Sequence, residues 1–167
     1  MSNKAERGQA RVPVQYHQFD ISDEDGPTGP DLNRGHNGLV RITDGVTVVM
    51  TGIHTGDIDV TVTLHQTEPT PDSGTWHEIV EVSAHSASGD LMVRGTMDDL
   101  DEELPVLSFN GPGHYRLRVH ARGRDTAVDL APDGVTEWYL IQAWPTPAQE
   151  VRVLRQTDAY GASVRAR

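Results

Sequence analysis

The chain has 167 residues, a formal net charge of −11 at pH 7 and no cysteine. Its length suits a single domain with its own hydrophobic core, because domains commonly contain ~100 to 200 residues. The charge argues against direct binding to nucleic acid, which depends on Lys and Arg side chains that neutralise phosphates, and the absence of cysteine excludes disulfides and thiolate catalysis.

The first predicted elements surround a long acidic loop. Residues 12–21 carry alternating apolar side chains and predict a strand. Residues 22–38, SDEDGPTGPDLNRGHNG, predict a loop, and structureless connections longer than ~12 to 15 residues are uncommon unless they are functional or mobile. The runs 39–42 and 46–51 flank Asp44-Gly45, a strong turn signal, and therefore predict a hairpin.

The rest of the chain continues as short strands separated by turn residues. In segment 114–122 we expect Tyr115, Leu117, Val119 and Ala121 to face the core. The side chains expected to face solvent are Arg116, Arg118, His120 and Arg122. Segment 137–144 is apolar on both faces, which predicts a central strand. The predicted strands in this part of the chain are 58–65, 76–84, 91–94, 104–109, 114–122, 137–144 and, at an edge, 151–155.

About nine short strands and no helix of ~10 residues predict an all-β fold, a single-domain antiparallel β-sandwich. We expect the sandwich to span residues 12–155. A flexible N-terminal segment, 1–11, would precede it, and a flexible Arg-containing tail, 156–167, would follow it.

Carboxylates concentrate in the connections between these strands. One group places five acids in six positions, Asp98, Asp99, Asp101, Glu102 and Glu103, and a second comprises Asp20, Asp23, Glu24, Asp25 and Asp31. Dense like charge attracts a cationic partner and speeds encounter with it. We therefore predict partner-binding residues at Asp98, Asp99, Asp101, Glu102, Glu103, Asp23, Glu24 and Asp25. The alternative is a solvated acidic surface without a partner.

Four arginines follow one another near the clearest strand: Arg116, Arg118, Arg122 and Arg124. Such a row can bind a carboxylate or phosphate in bidentate fashion. The alternative is pairing with the chain's own acids on neighbouring strands, such as Glu81 or Glu137. The net charge of −11 favours this internal neutralisation.

No motif predicts catalysis. The chain lacks HExxH, a His-x-His pair, the G-x-S-x-G elbow and a P-loop. A metal site between strands, for example at His65 and His120, is an alternative, but we predict no metal, no cofactor and no enzymatic activity. The eight histidines are His17, His36, His54, His65, His77, His85, His114 and His120.

The tryptophans leave a second functional interpretation open. Trp76, Trp138 and Trp144 are expected to pack on the sheets, but an exposed one would suit a sandwich that binds a small ligand or carbohydrate. No signal peptide and no stretch of ~20 apolar residues is evident, so we expect a cytoplasmic protein that does not bind membranes.

Several segments, taken in order, resemble the competence-associated nuclease-inhibitor family (the ComJ type) between about residues 14 and 144. These segments are Tyr16-His17-Gln18-Phe19, Thr43-Asp44-Gly45, Trp76 with the strand after it, residues 104–109 with Gly113-His114-Tyr115-Arg116-Leu117, and Trp138-Tyr139-Leu140-Ile141.

The resemblance implies an acidic protein that binds and blocks a basic partner, a nuclease or toxin, with no chemistry of its own. A nuclease needs a basic groove for phosphates, and a rigid carboxylate surface can occupy that groove. The chain departs from the family in the Pro- and Gly-rich loop 22–38 and in its Arg-rich tail.

Overall fold

This computed structural model of the protein describes residues 7–24, 28, 37–43, 46–95 and 104–167. Ten strands and one short helix lie within those residues. They are β1 (Arg7–Val14), β2 (Gln18–Ser22), β3 (Val40–Thr43), β4 (Val46–Met50), β5 (Gly56–Leu64), β6 (Glu78–Ser86), β7 (Met92–Arg94), β8 (Gly113–Arg122), β9 (Trp138–Pro145), β10 (Arg152–Gln156) and α1 (Ala159–Arg165).

The strands form two sheets, which confirms the all-β prediction. The larger sheet has the order β1-β5-β9-β8-β6-β10 and the smaller sheet the order β3-β4-β2-β7. Strand β9 runs antiparallel to β8 but parallel to β5. The larger sheet is therefore mixed rather than purely antiparallel, because side-chain alternation specifies a buried face and carries no information on the direction of the neighbouring strand.

The hydrophobic core lies between the two sheets. Alternate residues such as Val60 of β5 and Leu117 of β8 point from the larger sheet toward Phe19 and Ile21 of β2, and all four are buried. This arrangement follows from the period of two in a strand, which places every second side chain on the same face. As predicted, β9 is a central strand and β10 an edge strand.

The outer face of the larger sheet differs from the prediction. Arg116, Arg118 and His120 of β8 were expected in solvent but are at most 2% exposed. Two segments cover them: Arg118 donates to the Pro69 carbonyl oxygen, and Arg116 donates to that of Glu150. The alternation was correct, but a sequence pattern does not show that loops pack over the polar face.

The predicted first strand, residues 12–21, is also corrected. It consists of two strands in different sheets, since β1 pairs with β5 and β2 pairs with β4 and β7. The chain reverses at Tyr16 and His17, neither of which is a usual turn residue. Apolar alternation continues on both sides of this reversal, which is why the pattern resembled one strand.

Both ends of the chain contribute more structure than expected. Strand β1 begins at Arg7, within the segment predicted to be flexible. Helix α1 lies in the predicted tail; the Asp158 side chain caps it by accepting from the Gly161 backbone N–H, and Tyr160 and Val164 are buried. Among the described residues, no helix has the length and apolar character required to cross a membrane.

Candidate protein-binding surface

The turn between β1 and β2 carries unusual backbone conformations. Tyr16 (φ 54°), His17 (φ 64°) and Asp129 (φ 65°) are the non-glycine residues with positive φ in the described part of the chain. Non-glycine residues rarely adopt this left-handed region because the Cβ atom crowds the following carbonyl oxygen. All three meet at one place, where the Asp129 carboxylate lies 3.0 Å from Nε2 of His17. Backbone strain of this kind clusters at functional sites.

Contacts from three other parts of the chain hold the His17 ring. Its Nδ1 lies 3.0 Å from the carbonyl oxygen of Thr51 and 3.2 Å from the hydroxyl of Tyr160. The Tyr160 ring stacks on it at a centroid distance of 5.7 Å and an interplanar angle of 8°. The turn is thus fixed from the core side, and α1 contributes to it through Tyr160.

The same turn exposes apolar side chains. Tyr16 is 70% exposed and Leu130 is 61% exposed, and these are the most exposed large hydrophobic residues among those described. Both flank His54: the rings of Tyr16 and His54 make an edge contact at 5.3 Å, and the backbone N–H of His54 donates to the Leu130 carbonyl oxygen. An exposed aromatic residue on a rigid backbone suits an interface hot spot. We call residues 16, 17, 54, 129 and 130 the Tyr16 surface.

A cavity of about 350 Å³ opens beside Tyr16. Its polar wall includes Asp20, a half-buried carboxylate that accepts one long hydrogen bond from Gln18 (3.4 Å). Burial raises the pKa of Asp20 because it desolvates the charged form. The lining residues are Gln15, Tyr16, Gln18, Phe19, Asp20, Arg94 and Gly95.

Most of the predicted partner-binding acids lie outside the described residues: Asp25, Asp98, Asp99, Asp101, Glu102 and Glu103. Their role stays a prediction. In the sequence, the acidic run begins three residues after Gly95, which lines the cavity beside Tyr16.

The two remaining predicted acids differ from each other. Glu24 is exposed. Asp23 is 7% exposed and accepts hydrogen bonds from the hydroxyls of Ser86 and Ser88 and from the backbone N–H of Asp90. Through these contacts the Asp23 carboxylate organises the connection between β6 and β7.

Three members of the arginine row, Arg116, Arg118 and Arg124, are neutralised inside the protein, as predicted from the excess of acid. Arg122 instead lies over the rings of Trp76 and Trp138. Arg116 and Arg118 both contact Glu81, with Nε–O distances of 3.3 and 2.8 Å. Arg124 binds both carboxylate oxygens of Asp158, at 2.7 and 2.9 Å. The other suggested acid, Glu137, instead accepts two backbone N–H groups and the Tyr139 hydroxyl.

The tryptophans form no open platform. Trp144 is buried. Trp76 and Trp138 are half-buried, and the guanidinium of Arg122 lies over both rings at 5.2 and 5.1 Å. The chain's own Arg122 therefore occupies one face of each of these two indoles.

The histidines do not assemble a metal centre within the described residues, where no group of three or more His, Asp or Glu side chains is placed to hold an ion. His65 contacts the Thr63 hydroxyl at 2.8 Å. His120 lies 3.1 Å from the Leu140 carbonyl oxygen, and burial lowers its pKa.

Two solved structures share this fold. One is ComJ from Bacillus subtilis, an inhibitor of the DNA degrading activity of NucA, with a TM-score of 0.52 and 17% identity over 83% of this chain and 95% of that chain. The other is the product of crocagin biosynthetic gene J, with a TM-score of 0.53 and 17% identity over 84% of this chain and 97% of that chain. No protein-family model and no curated protein matches the chain. The resemblance suggested by the sequence is confirmed at the level of fold.

Proposed function

We propose that this protein is a non-catalytic binding module of inhibitor type, whose partner is a basic protein of the nuclease kind. The observation that carries the proposal is the Tyr16 surface, where a strained turn is fixed by His17 and presents an exposed aromatic ring. A strained backbone conformation that gives no benefit is expected to be lost in evolution. A preorganised aromatic side chain gives such a benefit, because it lowers the entropic cost of binding.

The nature of the partner follows from charge. The chain carries a net charge of −11, and its buried arginines are matched by buried acids, so the excess of acid faces outward. An acidic surface favours encounter with a basic protein. A nuclease has a basic surface for phosphates, and ComJ, which shares the fold, inhibits the activity of one. The acidic run 98–103 is proposed as a second contact with the partner.

The alternative of a carbohydrate-binding sandwich has less support. Aromatic platforms recognise sugars by stacking, and Arg122 occupies one face of each of the Trp76 and Trp138 indoles. The protein-binding proposal uses Tyr16 instead, which is the most exposed aromatic residue of the described chain.

The test is inhibition by the wild-type protein and by a variant without the Tyr16 ring. Basic nucleases from the same genome are purified, and the degradation of double-stranded DNA is followed by fluorescence. Tyr16→Asn removes the ring but suits the left-handed backbone, since Asn tolerates it. Val153→Ala is the matched control, because Val153 is 43% exposed on the edge strand β10.

We expect wild-type protein to inhibit one such nuclease at near-equimolar ratio. Tyr16→Asn should weaken binding by about 30-fold, the loss typical of a hot spot, and Val153→Ala by less than about 2-fold. Absence of inhibition across the nucleases would contradict the proposed function. Equal effects of the two substitutions would contradict the location of the surface.

A further inference from the structure

The cavity beside Tyr16 is large enough for a long side chain. Its volume of about 350 Å³ exceeds ten times the ~30 Å³ that one water occupies in the liquid. It lies between the β1–β2 turn and β7, next to the most exposed aromatic ring of the Tyr16 surface. A partner docked on that surface would therefore cover the opening of the cavity.

The lining has the chemistry of a cation receptor. Asp20 supplies a carboxylate, and Gln15 and Gln18 supply amide oxygens that accept hydrogen bonds. Tyr16 supplies an aromatic ring at the rim, and cations are attracted to the faces of such rings. A guanidinium or ammonium group would find a counter-charge, acceptors and a ring in one place.

The half-buried Asp20 carboxylate has fewer protein partners than the buried carboxylates of Glu81 and Glu137. Glu81 has two arginines, and Glu137 accepts three hydrogen bonds. Within the part of the chain that the structure describes, Asp20 accepts one hydrogen bond, of 3.4 Å, from Gln18. Partial burial removes some of the water that solvates the Asp20 carboxylate, and a cation that enters the cavity would offset that desolvation cost.

The neighbouring arginine does not fill this role. Arg94 lies opposite Asp20 in the β2–β7 register. Arg94 lines the cavity, but its guanidinium has other partners: Nε donates to the Ser22 hydroxyl at 3.0 Å, and a terminal nitrogen lies 3.1 Å from the Asp90 carboxylate. Because the charge of Arg94 is paired with Asp90, its repulsion of an incoming cation is reduced.

We propose that this cavity binds one cationic side chain, an arginine or a lysine, of the basic partner, with Asp20 as its counter-ion and Tyr16 as its aromatic wall. The inference rests on the proposed function for its biological role. The physical site can nevertheless be tested without the partner, because a free cationic probe can enter the cavity.

The experiment titrates the full chain with argininamide and follows backbone amide resonances by NMR. Citrulline amide is the matched neutral probe, since it keeps the shape and lacks the charge. Two variants are compared: Asp20→Asn, which removes the proposed counter-ion, and Glu150→Gln, which removes a charge from an exposed position near β10. The dispersion of the amide spectrum reports whether each variant is folded.

We expect argininamide to shift the resonances of Tyr16, Gln18, Asp20 and Arg94, and citrulline amide to leave them unchanged. Asp20→Asn should weaken argininamide binding by at least about 10-fold, because a charge-assisted hydrogen bond is lost. Glu150→Gln should change it by less than about 2-fold. No shift at these residues, or equal affinity in Asp20→Asn, would overturn the inference.

The partner assay separates this inference from the proposed function. A protein that inhibits a nuclease but shows no argininamide binding at the cavity retains the proposed function and refutes the cation site. A protein that binds argininamide at Asp20 but inhibits no nuclease retains the cation site and refutes the proposed function.

Discussion

At the scale of residues, His17 links the exposed turn to the protein interior. Its ring contacts Asp129, Thr51 and Tyr160, while its own backbone is left-handed. The ring contacts stabilise a conformation that the backbone alone disfavours by about 1–2 kcal/mol. Tyr16 can stay exposed and rigid because this neighbour is anchored.

We expect two substitutions of His17 to separate backbone strain from ring contacts. His17→Ala loses the contacts and keeps a Cβ in the left-handed region, so it should lower the free energy of unfolding by about 1–3 kcal/mol. His17→Gly loses the same contacts but relieves the strain, so it should be about 1 kcal/mol more stable than His17→Ala. Urea denaturation measures both, and a glycine variant no more stable than the alanine variant would contradict the strained turn.

At the scale of elements, α1 packs against a buried ionic cluster at the start of β6. Asp158 before α1 binds Arg124, and its backbone N–H donates to Oε2 of Glu78 at 2.9 Å. Oε1 of Glu78 is buried without a hydrogen bond, and the guanidinium nitrogens of Arg124 and Arg165 are 3.8 Å away. Burial raises the pKa of Glu78 to about 7, and the nearby Asp158 carboxylate adds to this.

A raised pKa makes the fold less stable as Glu78 ionises. Between pH 4.5, its ordinary pKa, and about 7, the folded state holds the Glu78 proton more tightly than the unfolded state. This contribution to stability is complete below that window and is lost as the pH rises through about 7. We therefore expect the stability of the wild type relative to Glu78→Gln to fall from pH 5 to pH 8.

Urea denaturation of both proteins at pH 5, 6, 7 and 8 measures this difference. The comparison with Glu78→Gln removes the contributions of other titrating groups, provided that they respond alike in the two proteins. A difference that stays constant across the four pH values would show that Glu78 does not titrate in this window.

The sequence predicted the individual strands better than it predicted the tertiary contacts around them. Strict alternation located β5, β8 and the core-facing residues, because burial of one face imposes a period of two. The β1–β2 reversal was missed because Tyr16 and His17 lack a turn signature and are held by tertiary contacts. The Tyr16 surface was missed for the same reason, since Asp129 and Tyr160 are more than 100 residues from His17 in the chain.

At the scale of the whole molecule, opposite charges are distributed unevenly between interior and surface. Arg116, Arg118 and Arg124 are buried against acids, so they contribute little to the external field. The excess of acid in the sequence predicted this pairing. The sequence did not predict that loops cover the outer face of the larger sheet, because a residue pattern does not show where loops pack. Most of the net negative charge of the chain therefore lies on its surface.

We expect association with the proposed basic partner to depend steeply on salt, because the Debye length is only ~8 Å at 0.15 M. Neutralising the acidic run (Asp98→Asn, Asp99→Asn, Asp101→Asn, Glu102→Gln and Glu103→Gln together) should slow association by at least about 10-fold at low salt and flatten the salt dependence. Stopped-flow kinetics measures both, with Glu150→Gln as the single-charge control. An unchanged association rate would identify the run as solvated surface.

The most direct test of the central claim, that the Tyr16 surface is the docking face, is hydrogen exchange of the full chain with and without the proposed nuclease partner. We predict slower amide exchange in the complex for peptides covering residues 13–20 and 127–131, with no change for residues 152–156 of β10. Protection confined to β10, with the Tyr16 turn exchanging as in the free protein, would contradict the account.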